Sequence, residues 1–307
     1  MTRDRAVNTV VDVAFALFAL SVAVVLLSTV NFSEPDQPDP FEPDRTAAVL
    51  GTSTFDVSYS FEPVLKEATA SSEELDEDPE EYRSERIAHA SIATHVKTAA
   101  LGSLAVGDEQ ITSTGQQYES AIDSRVQTVL ANTQFETSVT ARWSPYPDAS
   151  VTGSATVGAE PPPDVDLRTT TLTVPSGVQP TRDAAMEAVA DGGDYAAVAE
   201  LVAEATVDGF LPVVESKHAL ERDDSTMALT RYRYERFASV LEDADRETIR
   251  DDIEQDDVDT DDANEYLAAS LAERLVDELR RSFDSPEAAA RSVSTGEITI
   301  TVRTWDP

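Results

Sequence analysis

The side chains best suited to proton transfer or metal binding are His89, His95 and His218. His89 and His95 stand six residues apart, which puts them on different faces of a helix, whereas zinc ligands favour spacings of three or four on one face. Both read as polar surface histidines. Glu215 and His218 share a helical face at i, i+3, but no third ligand accompanies them. The chain has no cysteine, which excludes thiolate metal sites, disulfides and thiol nucleophiles.

The densest run of carboxylates, DDIEQDDVDTDD, extends from Asp251 to Asp262. Counted from Asp257, acids fall at the first, third and fifth positions of a calcium loop. Asp262 then occupies the place of the turn glycine, and Ala268 that of the closing bidentate glutamate. The run therefore reads as a solvated acidic linker. Serine chemistry has no better support: there is no G-x-S-x-G, no S-x-x-K and no glycine-rich phosphate loop. The sequence names no catalytic residue, no metal ligand and no cofactor, so an enzyme is not expected.

One cluster is basic and aromatic: Arg231-Tyr232-Arg233-Tyr234-Glu235-Arg236. Such a pattern can stack on single-stranded nucleic acid. The chain as a whole argues against that, with 59 acidic residues against 23 basic ones and a formal net charge of -36. Phosphate binding needs clustered cations. The cluster reads instead as a helix in which Arg231 pairs with Glu235 and Tyr232 packs inward. The other reading makes Arg231, Arg233 and Arg236 a docking patch for an acidic partner. A compact fold of this charge repels itself unless salt screens it, and at molar salt the Debye length falls to about 3 Å. The lysines are only Lys66, Lys97 and Lys217. Acid excess, scarce lysine and abundant Ala, Val, Asp and Thr resemble a haloarchaeal proteome.

Elements that would position these residues follow from periodicity. Thr54 to Phe61 alternates and reads as a strand, and a helix is predicted from Tyr82 to about Leu104. A second helix spans about Gln116 to Ala131. Phe135–Trp143, Ser150–Gly158, Val165–Val174 and Glu297–Trp305 read as strands. Helices are expected over Thr181–Ala190, from a cap at Asp194, over Ser225–Leu241, and over Asp261–Phe283, with a short one after Ser285-Pro286. The fold class is α+β: an N-terminal transmembrane helix, then an extracytoplasmic domain. That domain has an antiparallel sheet of about five strands, the early strand included. A helical insertion at about 180–292 lies on one sheet face.

The domain reading is residues 1–9 cytoplasmic, 10–30 transmembrane, 31–46 a Pro/Asp-rich linker and 47–307 extracytoplasmic. Val13 to Val30 is free of charge. Secretion signals carry an apolar core of about 7–15 residues and a small-x-small cleavage site, which favours a retained span in contact with the lipid bilayer. Arg3 and Arg5 precede it and acids follow it, so the N-terminus is expected in the cytoplasm and the rest outside the cell membrane. Asp12 reads either as an interfacial residue or as a charge that partners recognise. Asn31-Phe32-Ser33 is a sequon for glycosylation of Asn31.

Arg5-Ala6-Val7 resembles the class III signal of archaeal type IV pilins. The resemblance implies cleavage between Ala6 and Val7, with the apolar helix retained for assembly. Val11 sits where that family often has an acid. An ordinary anchor with two arginines at its inner end is the alternative. RAVNTVVDVAFALF from Arg5, VGAEPPPDVDLRTTTLTVPSGV from Val157 and VRTW from Val302 are similar to a haloarchaeal family of single-span, pilin-like membrane proteins. Its members are thought to accompany type IV pilus-like or secretion-like assembly genes. That resemblance implies a structural or assembly role, with other pilin-like subunits or platform proteins as partners. The alternative is a membrane-tethered binding module for a solute or envelope partner.

Overall fold

Alternating side chains build the strands, and the structure, a computed structural model, describes residues 51–71, 85–111, 114–130, 135–222, 224–241, 244–254 and 258–307. In chain order, β1 (Thr54–Ser60) leads into α1 (Glu62–Ser71), β2 (Glu85–Ser91) and α2 (Ile92–Gly102). The short β3 (Leu104–Val106) and β4 (Glu109–Gln110) precede α3 (Thr114–Leu130). The strands β5 (Glu136–Trp143), β6 (Val151–Gly158) and β7 (Arg168–Pro175) follow. Then come α4 (Arg182–Ala190), α5 (Tyr195–Phe210), α6 (Val213–Leu220), α7 (Ser225–Val240), α8 (Arg246–Glu254), α9 (Thr260–Ser282) and α10 (Pro286–Ser292). The closing strand is β8 (Glu297–Trp305).

Six strands form one antiparallel sheet in the order β4-β3-β6-β5-β8-β7. Val139 lies opposite Val157 and Val302, and Ala141 opposite Ala155 and Ile300. All six are buried, so the register makes one continuous apolar face. The other face carries Thr140, Thr156 and Thr301, and the first two hydroxyls meet at 3.2 Å. Helices α2 and α3 pack on the apolar face. Gly153 permits that approach, because a Cβ there would stand 2.4 Å from the Ala100 carbonyl oxygen.

Several expectations are corrected. Among the described residues no helix is long and apolar enough to cross a membrane; the described elements make an α+β fold with antiparallel sheets. Residues 1–50 lie outside the described residues, and with them Ala6, Val7, Asp12, Asn31 and the segments 1–9, 10–30 and 31–46. Residues 43–307 make one compact unit. The early strand does not join the main sheet; β1 pairs only with β2 in a separate two-stranded sheet. The helix predicted from Tyr82 begins ten residues later, at Ile92. Arg86, Ala88 and Ala90 alternate inward along β2, and Ile87, expected as a helix anchor, is 74% exposed. Ser91 then starts α2 by accepting a hydrogen bond from the Thr94 amide at 3.3 Å.

Helices α4 to α10 lie between β7 and β8 and dock at one end of the sheet, not on its apolar face, which α2 and α3 occupy. Leu267, Leu271, Leu275 and Leu279 of α9 are fully buried, and α9 packs chiefly on α5. Helix α9 reaches the sheet through Glu278. One carboxylate oxygen accepts from the Tyr146 hydroxyl at 3.1 Å and from the Ser150 amide at 3.0 Å. Its other oxygen lies 3.4 Å from Arg274, whose Nε donates to the Ser150 hydroxyl. Burial first, then Glu278, pushes the Tyr146 phenol far above its ordinary range, so it stays a donor.

The β1–β2 pair is held down by His95, which is fully buried rather than on the surface. Its Nε2 meets the Phe55 carbonyl at 3.1 Å, and its Nδ1 meets the Tyr118 hydroxyl. A carbonyl only accepts, so Nε2 carries the proton and Nδ1 accepts from Tyr118. Burial pushes the Tyr118 phenol up to about 12, with Tyr59 adding to the shift. The surface reading holds for His89, which faces Asp56 at 2.7 Å in the open.

Two outcomes are expected. Glu278→Ala removes the acceptor of two partly buried donors and should cost about 2–3 kcal/mol. Denaturant melts in high salt measure it, and a loss below about 0.5 kcal/mol would contradict the anchoring role. Burial, more than any neighbour, lowers the His95 pKa below its ordinary value. The unfolded chain therefore takes up that proton first as pH falls. Stability from His95 is complete above about pH 6.5 and declines below it. The melting temperature should fall from about pH 7.5 to about pH 5.5, and His95→Gln should flatten that slope. An unchanged slope in the variant would refute the assignment.

Candidate functional site

Where the helical insertion meets α2, six segments enclose a cleft of about 340 Å³. Lys97, Thr98, Leu101 and Gly102 come from α2, Leu104 from β3 and Trp143 from the end of β5. Ser176 and Val178 come from the loop after β7. Thr206, Gly209 and Phe210 come from the end of α5, and Arg233 from α7. Gly209 brings α5 against that loop: a Cβ there would lie 2.8 Å from a Val178 methyl carbon. Any larger residue would push the wall back.

The walls are apolar and the polar groups are mostly committed elsewhere. The Thr206 hydroxyl donates to the Val202 carbonyl at 2.7 Å, and the Thr98 hydroxyl to the Thr94 carbonyl at 2.9 Å. Ser176 donates to the Thr295 carbonyl at 2.8 Å. The donors left are cationic. Lys97 spends one hydrogen on the Pro175 carbonyl at 3.3 Å and faces no carboxylate among the described residues. Arg233 is the sharper case. Its Nε is shut off from solvent without a hydrogen-bond partner, and no carboxylate of the described residues pairs with it. Its guanidinium carbon lies 6.0 Å from the centre of the Phe210 ring. Burial pushes Arg233 below its ordinary value, with Tyr59 opposing. A guanidinium starts so far above neutrality that it remains charged.

The three arginines that the alternative reading makes one docking patch part company. Arg231 pairs with Glu254 of α8 at 3.5 Å, and Glu235 with Arg250 at 3.2 Å, rather than with each other. Arg236 donates to the Gln110 carbonyl at 3.1 Å and to the Ser239 hydroxyl at 3.2 Å. Arg233, on another face of α7, alone lines the cleft. Tyr232 is buried as expected, against Val64 and Leu65 of α1. The pairing with α8 was unforeseen because Arg246–Glu254 lies within and just before the acidic run read as a linker; its buried Ile249 and Ile253 make it a helix.

Lys97, Trp143 and Phe210 were missed as site residues. Lysine scarcity is a signal that could have marked Lys97; nothing local in the sequence joins Trp143 to Phe210. His218 and Glu215 are exposed on α6 and outside the cleft. Among the described residues, no three His, Cys, Asp or Glu side chains gather as a metal site. A wider hollow of about 700 Å³ flanks the β7–β8 junction, but its Arg182 already donates to the Val293 carbonyl at 2.6 Å.

No curated protein and no solved structure matches the chain. A family model does, across residues 11–305, which takes in every element described above. The chain belongs to that family, described as a family of unknown function (DUF7284).

Proposed function

We propose that this chain is a binding module, an accessory protein of a salt-exposed cell surface that holds a solute or part of an envelope partner in the cleft. The observation that carries the reading is the pairing state of Arg233. In a chain with 59 acids to choose from, this cation faces a cavity and no carboxylate of the described residues. A partly buried charge without a counter-charge costs stability, and a ligand that supplies one would relieve the cost. Concave, mostly apolar sites with a few convergent polar groups are the usual form of ligand sites. The cleft lining contains neither carboxylate nor imidazole, so the reading is of binding rather than turnover.

Crowded acids elsewhere support the salt-exposed setting. Burial, then Asp208, Glu200 and Glu265, push the Glu204 carboxyl above its ordinary value. Such repulsion weakens when salt shortens the reach of charge. The pilin-like reading rests on residues 5–18 above all, and these lie outside the described residues.

A thermal-shift screen of the full chain in molar salt tests the module. Ligand at a hundredfold excess over Kd adds about 2.7 kcal/mol. That is worth about 5–10 °C for a domain of this size. Organic anions should raise the melting temperature while matched cations do not. Thr98 is exposed at the mouth, so Thr98→Trp should fold normally and abolish the response. Equal shifts in the two proteins, or no class-dependent shift in either, would contradict the proposal.

A further inference from the structure

Resting on that binding reading, we infer that the cleft takes a small organic monocarboxylate with a compact apolar body. Its carboxylate would be forked by the Arg233 guanidinium and steadied by Lys97, with its body against Leu101, Trp143 and Phe210.

Four observations narrow the class. First, the free donors are a planar guanidinium and an ammonium, and a guanidinium matches a carboxylate through two parallel N–H bonds. Second, the cavity of about 340 Å³ is at the low end for ligand sites, and at the ~30 Å³ a water occupies it holds about a dozen non-hydrogen atoms. Third, Leu101, Leu104, Trp143, Val178 and Phe210 supply apolar wall, while the Ser176, Thr98 and Thr206 hydroxyl hydrogens are spent inside the protein. A sugar or an amino acid would bring more donors than the Thr98 and Thr206 hydroxyl oxygens can accept, and an ammonium finds no carboxylate in the lining. Fourth, the protein's net charge of -36 repels anions from a distance. A polyphosphate or an acidic peptide meets that repulsion several times over, and a monoanion once. The apolar body is what separates such a ligand from chloride, which reaches the same cations in brine but leaves the walls wet.

The arrangement also implies a cost to the empty protein. A guanidinium held against aromatic wall without a counter-charge weakens the fold, so replacing it by an apolar side chain of similar length should strengthen it.

Calorimetric titration of the full chain in molar sodium chloride, with 3-phenylpropionate, 3-phenylpropionamide and acetate, tests the inference. The acid should bind at least about tenfold more tightly than the amide or acetate. Arg233→Met should weaken the acid about tenfold or more and raise the melting temperature of the ligand-free protein. Lys97→Gln should weaken it by a smaller factor. If Arg233→Met does not fold, Arg233→Lys and the comparison of acid with amide on the unaltered chain decide. Acid and amide binding equally, both blocked by Thr98→Trp, would overturn the carboxylate inference and leave the binding module standing. An Arg233→Met protein that binds normally and melts lower would make the guanidinium structural and overturn it as well. Failure of every probe to bind, with no anion-dependent shift that Thr98→Trp removes, would overturn both.

Discussion

Everything at the sheet end hangs on one buried threonine. Strands β7 and β8 are neighbours, yet the whole helical insertion separates them in sequence, so the chain must leave and return at one point. Thr295 ties that point. Its carbonyl accepts from Trp143 Nε1 and from the Ser176 hydroxyl, each at 2.8 Å. Its hydroxyl donates to the Gln179 carbonyl at 2.7 Å and accepts from the Thr181 amide at 3.1 Å. Its carbonyl and its hydroxyl are both engaged, and a satisfied buried polar network favours one arrangement. The same knot sets the Trp143 ring and the loop carrying Val178, and therefore two walls of the cleft.

Charge then gives those walls a purpose. Many cations among the described residues meet carboxylates or carbonyls: Arg231 and Arg250 bridge α7 to α8, and Arg274 backs Glu278. Arg125, Arg182 and Arg236 face no carboxylate of the described residues either but donate to backbone carbonyls, whereas Arg233 lines the cleft with its Nε unpartnered. Arg233 is flanked by Phe210 and lies near Tyr59, in surroundings that hold carboxylates away. On the binding reading proposed above, keeping that guanidinium available costs the empty fold stability, as binding sites commonly do.

How much of this was legible depended on whether the signal was local. The strands β5, β6 and β8 alternate strongly and were readable, as were the caps at Asp194 and Ser285, whose side chains accept from the Ala196 and Ala288 amides. The leucines of α9 repeat every four residues and mark its core stripe. Strand β2 was hidden because its inward residues are an arginine and two alanines, too weak a pattern to overrule a helix reading. Strands β3 and β4 are three and two residues long and rest on the Gly107 turn, with φ of 64°. The sheet face was misassigned because α2 and α3 were not weighed as its cover. The cleft was out of reach for a different reason. Its parts come from α2, β3, β5, the loop after β7, α5 and α7, and no spacing in sequence announces that they meet. Arg233 was singled out as basic and aromatic-flanked, but only the fold separates it from Arg231 and Arg236.

The most direct test observes the guanidinium itself. In nitrogen-15 spectra of the full chain, the Nε–H signal missing from the Arg233→Met variant identifies Arg233. Adding 3-phenylpropionate in molar salt should move that signal and leave the other arginine Nε–H signals in place. A signal that stays still, or arginine signals that all move alike, would contradict the account.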